Sequence, residues 1–197
     1  MAARLMEMAQ VGPKVSIALL HYPVYDRNRR EVATAVTNLD LHDLARMART
    51  YGLFRYYVVT PVLEQRILAE RIRGHWQDGA GGNYNPDRRE ALKLLQIVPG
   101  LDDVLADLEN INNRKVQVIA TGACPRKGAL SCGELRRTME EGNGPYLLLF
   151  GTGWGLTDEL FERADLILEP IKGSGDYNHL PVRAAAAIIL DRLLGER

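Results

Sequence analysis

The stretch Asn178–Leu193, NHLPVRAAAAIILDRL, limits what this chain can fold into more than any other segment. Read as a helix of about three turns, it is apolar nearly all round: Val182, Ala185, Ala186, Ile188, Ile189, Leu190 and Leu193, with Leu194 just beyond. A helix with so little polar face must be buried on more than one side. Val182, Ala186, Ile189 and Leu193 form one stripe at heptad-like spacing, and Ile188, Leu190 and Leu194 lie off it. One group suits a sheet face and the other a partner chain, for which a two-fold pair is the commonest arrangement. A homodimer is therefore expected.

The remaining sequence supplies the sheet. Runs rich in β-formers recur at Val15–Leu20, Tyr56–Val59, Leu94–Val98, Val116–Ala120, Tyr146–Phe150 and Leu166–Leu168. Helical patterns lie between them. Leu41, Leu44, Ala45 and Ala48 share one face. Thr60-Pro61 predicts a second helix with Pro61 in its first turn, and Ser131 with Glu134 has capping-box spacing. The alternation predicts an α/β fold, a mostly parallel sheet with helices on both faces. Gly74–Asp87, GHWQDGAGGNYNPD, reads as one long loop. Residues 1–12 read as a loose lead-in and 13–197 as one domain.

Basic and acidic residues balance at a net charge of zero, so no global field draws the chain to nucleic acid. RNA binding would rest on local groups: Arg27, Arg29 and Arg30; Arg66, Arg71 and Arg73; Arg88 and Arg89; Arg126 and Lys127; Arg136 and Arg137. For any one group, solvated surface charge is the plainer reading. No run approaches a membrane span, and the first residues lack a signal-peptide core. Cys124 and Cys132 fit no zinc spacing, so no metal is expected, and reduced thiols suit a cytoplasmic protein.

The second informative motif is FGTGWGL at 150–156, where glycines allow main-chain groups to approach a ligand closely. With it stand HYPVYD, NLDLHD, ARTYG, EPI and YNHL, spread over nearly the whole chain. On these signatures the chain resembles the SPOUT class of knotted RNA methyltransferases, and within it a family sometimes fused to a tRNA guanine-N1 methyltransferase domain. In the block TNLDLHDLARMARTYGLFRYYVVTP, Arg46 stands six residues before Gly52, as an arginine of the SpoU branch does. Asn38 or Asp40 stands for that branch's asparagine. Thr152 replaces a usual acidic residue, and Pro181 and Arg183 stand where Asn and Ser are usual.

The resemblance implies a deep C-terminal trefoil knot, S-adenosylmethionine as cofactor, tRNA or rRNA as substrate and a dimer with the interface beside the knot. It assigns cofactor contacts, largely main chain, to Thr121, Phe150, Gly151, Thr152, Gly153, Gly155, Leu168, Glu169, Ile171, Asn178 and Leu180. Methyl transfer is an in-line displacement onto a ribose hydroxyl or ring nitrogen that must lose a proton. Arg46, Asp40 and Asn38 are the catalytic candidates: Arg46 to anchor a phosphate or polarise the acceptor, Asp40 to take the proton. Asp43 and Arg46 also have the spacing of a plain surface ion pair.

His21 ends the first strand, where α/β sheets place ligands, yet reads equally as a structural residue. His42 lies on the first helix, where exposure to solvent is as good a reading. Trp76 suits stacking on a base or covering an apolar patch. Two further readings stand beside the enzyme. A non-catalytic RNA-binding or interface module of the same fold accords with the departures at Thr152, Pro181 and Arg183. A Rossmann-type nucleotide enzyme is disfavoured, because HYPVYD stands where GxGxxG would follow the first strand.

Overall fold

The computed structural model of the protein describes residues 14–142 and 144–196, so the expected lead-in lies outside the described residues. Along β1 (Val15–Leu20) every side chain is buried, which requires cover on both faces. A hairpin of β2 (Val24–Tyr25) and β3 (Glu31–Val32) follows, then helix α1 (Asn38–Thr50) and β4 (Arg55–Val59). Next come α2 (Leu63–Gln77), α3 (Ala80–Tyr84), α4 (Pro86–Leu92), β5 (Leu95–Val98), α5 (Leu101–Asn112) and β6 (Gln117–Ala120). The chain ends with α6 (Cys132–Glu141), β7 (Tyr146–Gly151), α7 (Asp158–Glu162), β8 (Leu166–Ile167) and α8 (Val182–Leu194).

The main sheet has the order β5-β4-β1-β7-β6-β8, and its pairings are parallel. Alternate strand residues serve two cores, as a period of two demands. Ile17, Leu19, Tyr56, Val58, Leu148 and Phe150 meet α1, α6 and α8 on one face. Ala18, Leu20, Tyr57, Val59, Leu147 and Leu149 meet α5 and α7 on the other. The expected α/β sheet with helices on both faces is therefore present. Among the described residues no helix is long and apolar enough to cross a membrane.

Two local expectations need correction. Helix α2 starts at Leu63, past Pro61, because Thr60 N still donates to Val98 O (3.1 Å) and extends the sheet pairing. The stretch 74–87 is not an open loop. Helix α2 continues to Gln77, whose side chain donates to Leu92 O (2.8 Å), and Asn85 caps α4 with Pro86 in its first turn. Glycines 81 and 82 serve packing there, since a Cβ on either would collide with His75 or Trp76.

The environment of β8 explains how the C-terminal segment is held. One edge of β8 pairs with β6, Ile119 facing Leu166. Its other edge meets Leu130, whose N donates to Ile167 O (2.8 Å) and whose O accepts from Glu169 N (2.8 Å). The flanks, the end of β6 and Leu130, are joined by the segment 121–130, so the chain leaving β8 runs between that segment's two ends. This local arrangement is consistent with the expected knot. Beyond it, α8 lies on the α1, α6 and β7 side of the sheet. Its stripe residues Ala186, Ile189 and Leu193 are buried, and so is Leu190, which lies off the stripe. Ile188 and Leu194 remain half-buried.

Candidate active site

In the sheet order, β1 stands between β4 and β7, so the chain's progress across the sheet reverses beside it. Open α/β sheets form a crevice at such a point, outside the carboxyl ends of the strands. Here those ends carry His21 after β1, Thr121 after β6 and the glycine loop 151–155 after β7.

The glycines of that loop are required by the loop itself. A Cβ on Gly151 would stand 2.7 Å from Leu156 N, a main-chain atom. Gly153 and Gly155 have φ of 58° and 97°, conformations that L side chains rarely adopt. The hairpin clamps the loop: Trp154 N donates to Tyr25 O and Tyr25 N to Gly155 O, both 2.9 Å. Only part of the glycine pattern thus reflects close approach to a ligand.

Beneath the loop lies a partly buried polar chain. Thr152 Oγ1 donates to Leu20 O (3.0 Å) and contacts Thr34 Oγ1 (2.5 Å), which contacts His21 Nδ1 (3.0 Å). These contacts are mutually consistent when Thr34 donates to Thr152 and His21 carries its proton on Nδ1. His21 is fully buried, with Nε2 unpartnered, and burial pulls its pKa down to about 4, against a smaller opposing pull from Asp40. It is a neutral structural histidine beneath the site. The hydroxyl of Thr152 is committed to this chain, which gives a local reason for threonine where an acid is usual.

Above the strands opens a cleft of about 780 Å³, within the range of small-molecule sites. Of the expected cofactor residues, Thr121, Phe150, Gly151, Thr152, Gly153, Gly155, Ile171, Asn178 and Leu180 line it. Leu168 and Glu169 do not: their N–H groups are taken by Ala120 O and Leu130 O, one layer behind. Asn178 Nδ2 donates to Ala123 O (2.9 Å), tying the segment before α8 to the loop after β6. The lining combines apolar walls (Phe150, Leu156, Leu180 and Ile189) with a rim of hydroxyl, amide and main-chain groups. That mixture suits a ligand with a flat aromatic part and a polar tail.

The catalytic candidates separate. Asp40 lines the cleft, buried, with Oδ1 accepting from Arg183 Nη1 (2.7 Å) and Oδ2 from Thr37 Oγ1 (2.6 Å). Tyr56 OH donates to Asp40 O (3.1 Å) and fixes the start of α1. Asn38 and Arg46 are exposed and do not line the cleft. Asp43 pairs with Arg183 Nε (3.2 Å), so the ion pair open to it on sequence grounds, with Arg46, gives way to one across two helices. Arg183, which departs from the usual serine, is thus the cation that joins α8 to α1.

Trp76 covers the core rather than standing free for a base: it is half-buried, with Arg88 over its ring (4.6 Å) and the edges of His42 and His75 against it. His42 is half-buried, and burial lowers its pKa. Sequence reasoning missed Tyr25, Thr34 and Phe161 as parts of the cleft. Only the hairpin motif HYPVYD hinted at the first, and nothing in the sequence marked the other two.

With this geometry in hand, comparisons with known proteins are informative. A family model described as SAM-dependent RNA methyltransferase matches residues 14–195. A tRNA (guanine-N(1)-)-methyltransferase of Nitratidesulfovibrio vulgaris is 46% identical over 187 residues, which cover 94% of this chain and 43% of that protein. The chain therefore spans less than half the length of this relative. An uncharacterized protein of Aquifex aeolicus is 39% identical over 189 residues, 96% of this chain and 92% of its own length. Among solved structures, the SpoU methyltransferase AviRb of Streptomyces viridochromogenes, in complex with the cofactor AdoMet, shares the fold. Its TM-score is 0.56 at 14% identity, covering 93% of this chain and 57% of that one.

Proposed function

The chain belongs to the SAM-dependent RNA methyltransferase family, and from that premise we propose that it methylates tRNA at a ribose hydroxyl or a base nitrogen. The observation that carries the proposal is the cleft at the sheet's switch point, walled by the glycine loop and the segment before α8. The longer relatives named for tRNA guanine-N1 methylation are more than twice this chain's length, whereas the Aquifex relative is matched almost end to end. The unit shared by all of them thus occurs without the additional length. On this basis the guanine-N1 specificity belongs to the part those relatives add, and this unit modifies tRNA at another atom, in the cytoplasm.

Thr121, Phe150, Gly151, Thr152, Gly153, Gly155, Ile171, Asn178 and Leu180 would hold S-adenosylmethionine, with Leu168 and Glu169 supporting them from behind. Bound there, the cofactor supplies an electrophilic methyl group on a sulfonium. An acceptor held in the cleft would lose its proton on taking up that methyl group. Asp40 is the acidic side chain of the cleft lining, and both its oxygens are engaged. Its part is to hold Arg183 at the cleft wall, where a guanidinium would stabilise the negative charge left on the acceptor as its proton leaves.

Arg46, exposed and outside the cleft, would reach an acceptor only from a second chain, with Asn38 on the same helix. Half-buried Ile188 and Leu194 on α8 supply apolar surface for that contact. We therefore place the active site between two copies that meet beside the C-terminal segment of each. Light scattering checks this: a mass near twice 22.0 kDa supports it, and a mass near 22.0 kDa contradicts it. Incubation with methyl-labelled S-adenosylmethionine and unfractionated tRNA should label the RNA. Alkaline digestion then separates the acceptors, because a 2′-O-methyl blocks cleavage of the adjacent phosphodiester and a base methyl does not. Failure to label tRNA, with the cofactor bound, would refute the proposal.

A further inference from the structure

Two of the basic groups noted in the sequence, far apart along the chain, meet at the mouth of the cleft. Arg29 Nη2 and Arg126 Nη2 bind opposite oxygens of Asp158, at 2.5 and 2.7 Å. Each guanidinium also lies over an aromatic ring, Arg29 over Tyr25 at 4.2 Å and Arg126 over Phe161 at 3.6 Å. Both arginines line the cleft and both remain partly exposed, by 63% and 29% of their side chains. One carboxylate cannot neutralise two guanidinium groups, so the assembly is net cationic. With one face stacked and one edge paired, the remaining N–H donors of each fork lie free of these contacts, in the planar arrangement that matches a phosphate.

The backbone adds an independent sign. Arg29 has φ of 62°, a left-handed conformation that non-glycine residues rarely adopt. Asp26 enforces it: Oδ1 accepts from Asn28 N (2.7 Å) and Arg30 N (2.9 Å), and Asp26 O accepts from Arg29 N (3.0 Å). Glycine would occupy that turn without strain, yet an arginine stands there with its side chain aimed at the cleft mouth. Strain of this kind points towards a use for the side chain.

We propose that Arg29 and Arg126, bridged by Asp158, form a clamp for a backbone phosphate of the substrate RNA beside the nucleotide being methylated. The clamp rests on the RNA-methylating function argued above. It positions the strand without reading its sequence. Trp154, 64% exposed on the adjoining glycine loop, lies at the same mouth and offers a face to a neighbouring base.

The test is titration of unfractionated tRNA onto the intact protein, in salt from about 50 to about 300 mM, for the parent and for Arg29→Gln, Arg126→Gln and the double variant. Each single change should weaken binding several-fold and make the slope of log affinity against log salt shallower by about 0.7–0.9, the double by about twice that. Affinity for S-adenosylmethionine, measured by calorimetry, should stay at the parent value. Lys115→Gln, which removes an exposed cation at the amino end of β6, should change neither. If the arginine variants lose cofactor affinity while keeping the parent salt slope, the pair serves the cofactor's carboxylate and the clamp is wrong. If tRNA binding is unchanged in the double variant, the clamp fails and the methyltransferase reading stands. If the parent itself binds no RNA, the functional reading fails first and the clamp with it.

Discussion

Burial of His21 should make this protein lose stability on mild acidification. The imidazole is fully buried with Nε2 unpartnered, and its pKa is pulled from 6.5 to about 4. Between those values the unfolded chain takes up a proton that the folded chain refuses, so stability rises with pH through this window. The contribution of His21 is intact above about pH 6.5, fades as the pH falls and is fully lost near pH 4. Linkage over that interval gives a loss of about 2 kcal/mol on going from about pH 7.5 to about pH 5, and about 3 kcal/mol by about pH 4. At the less acid of these points the carboxylates held low by hydrogen bonds and cations, such as Asp158 and Glu134, remain ionised. Urea unfolding at the two pH values, for the parent and His21→Asn, isolates the effect. Asparagine keeps a polar contact towards Thr34 and removes the titration. The parent should lose about 2 kcal/mol more than the variant. His42 is shifted in the same direction but is common to both proteins and cancels. Parallel pH profiles would refute the reasoning, because they would mean that His21 is solvated or partnered in the folded state.

Further outcomes follow from single contacts. Gly151→Ala should destabilise the protein by about 1–3 kcal/mol and weaken S-adenosylmethionine binding, since the added Cβ meets Leu156 N and forces the loop open. Gly52→Ala, at φ of 66° with nothing near its Cβ, should cost about 1 kcal/mol with cofactor binding unchanged; equal calorimetric affinity in both variants would remove the loop from the site. Arg183→Ala leaves Asp40 buried without its cation and should cost about 1–3 kcal/mol in urea unfolding. Adding Asp40→Asn to Arg183→Ala should restore part of that loss, and strict additivity of the two changes would show that the pair is not coupled. Arg46→Ala should abolish methyl incorporation while binding the cofactor like the parent; unaltered turnover would sink its catalytic role.

The strands and the two-sided cover of the sheet were legible in the sequence because they rest on local pattern: continuous apolar runs for buried parallel strands, and the i, i+3, i+4 spacing of Leu41, Leu44 and Ala45. The Ser131–Glu134 cap was legible for the same reason, both partners lying within one turn. Residues 74–87 misled because glycine and asparagine signal loops by propensity. In the fold the glycines are packing necessities under Trp76, and Asn85 is a cap, a distinction that depends on neighbours remote in sequence. The motif FGTGWGL located the site, but its chemistry required tertiary structure. Only there does Thr152 join Thr34 and His21, Arg183 reach back to Asp40 and Asp43, and Arg29 meet Arg126 across Asp158. Side-chain periodicity is a property of one element and is written in order along the chain. A charged pair between α1 and α8, or between a hairpin turn and the loop after β6, exists only once the sheet has brought those elements together.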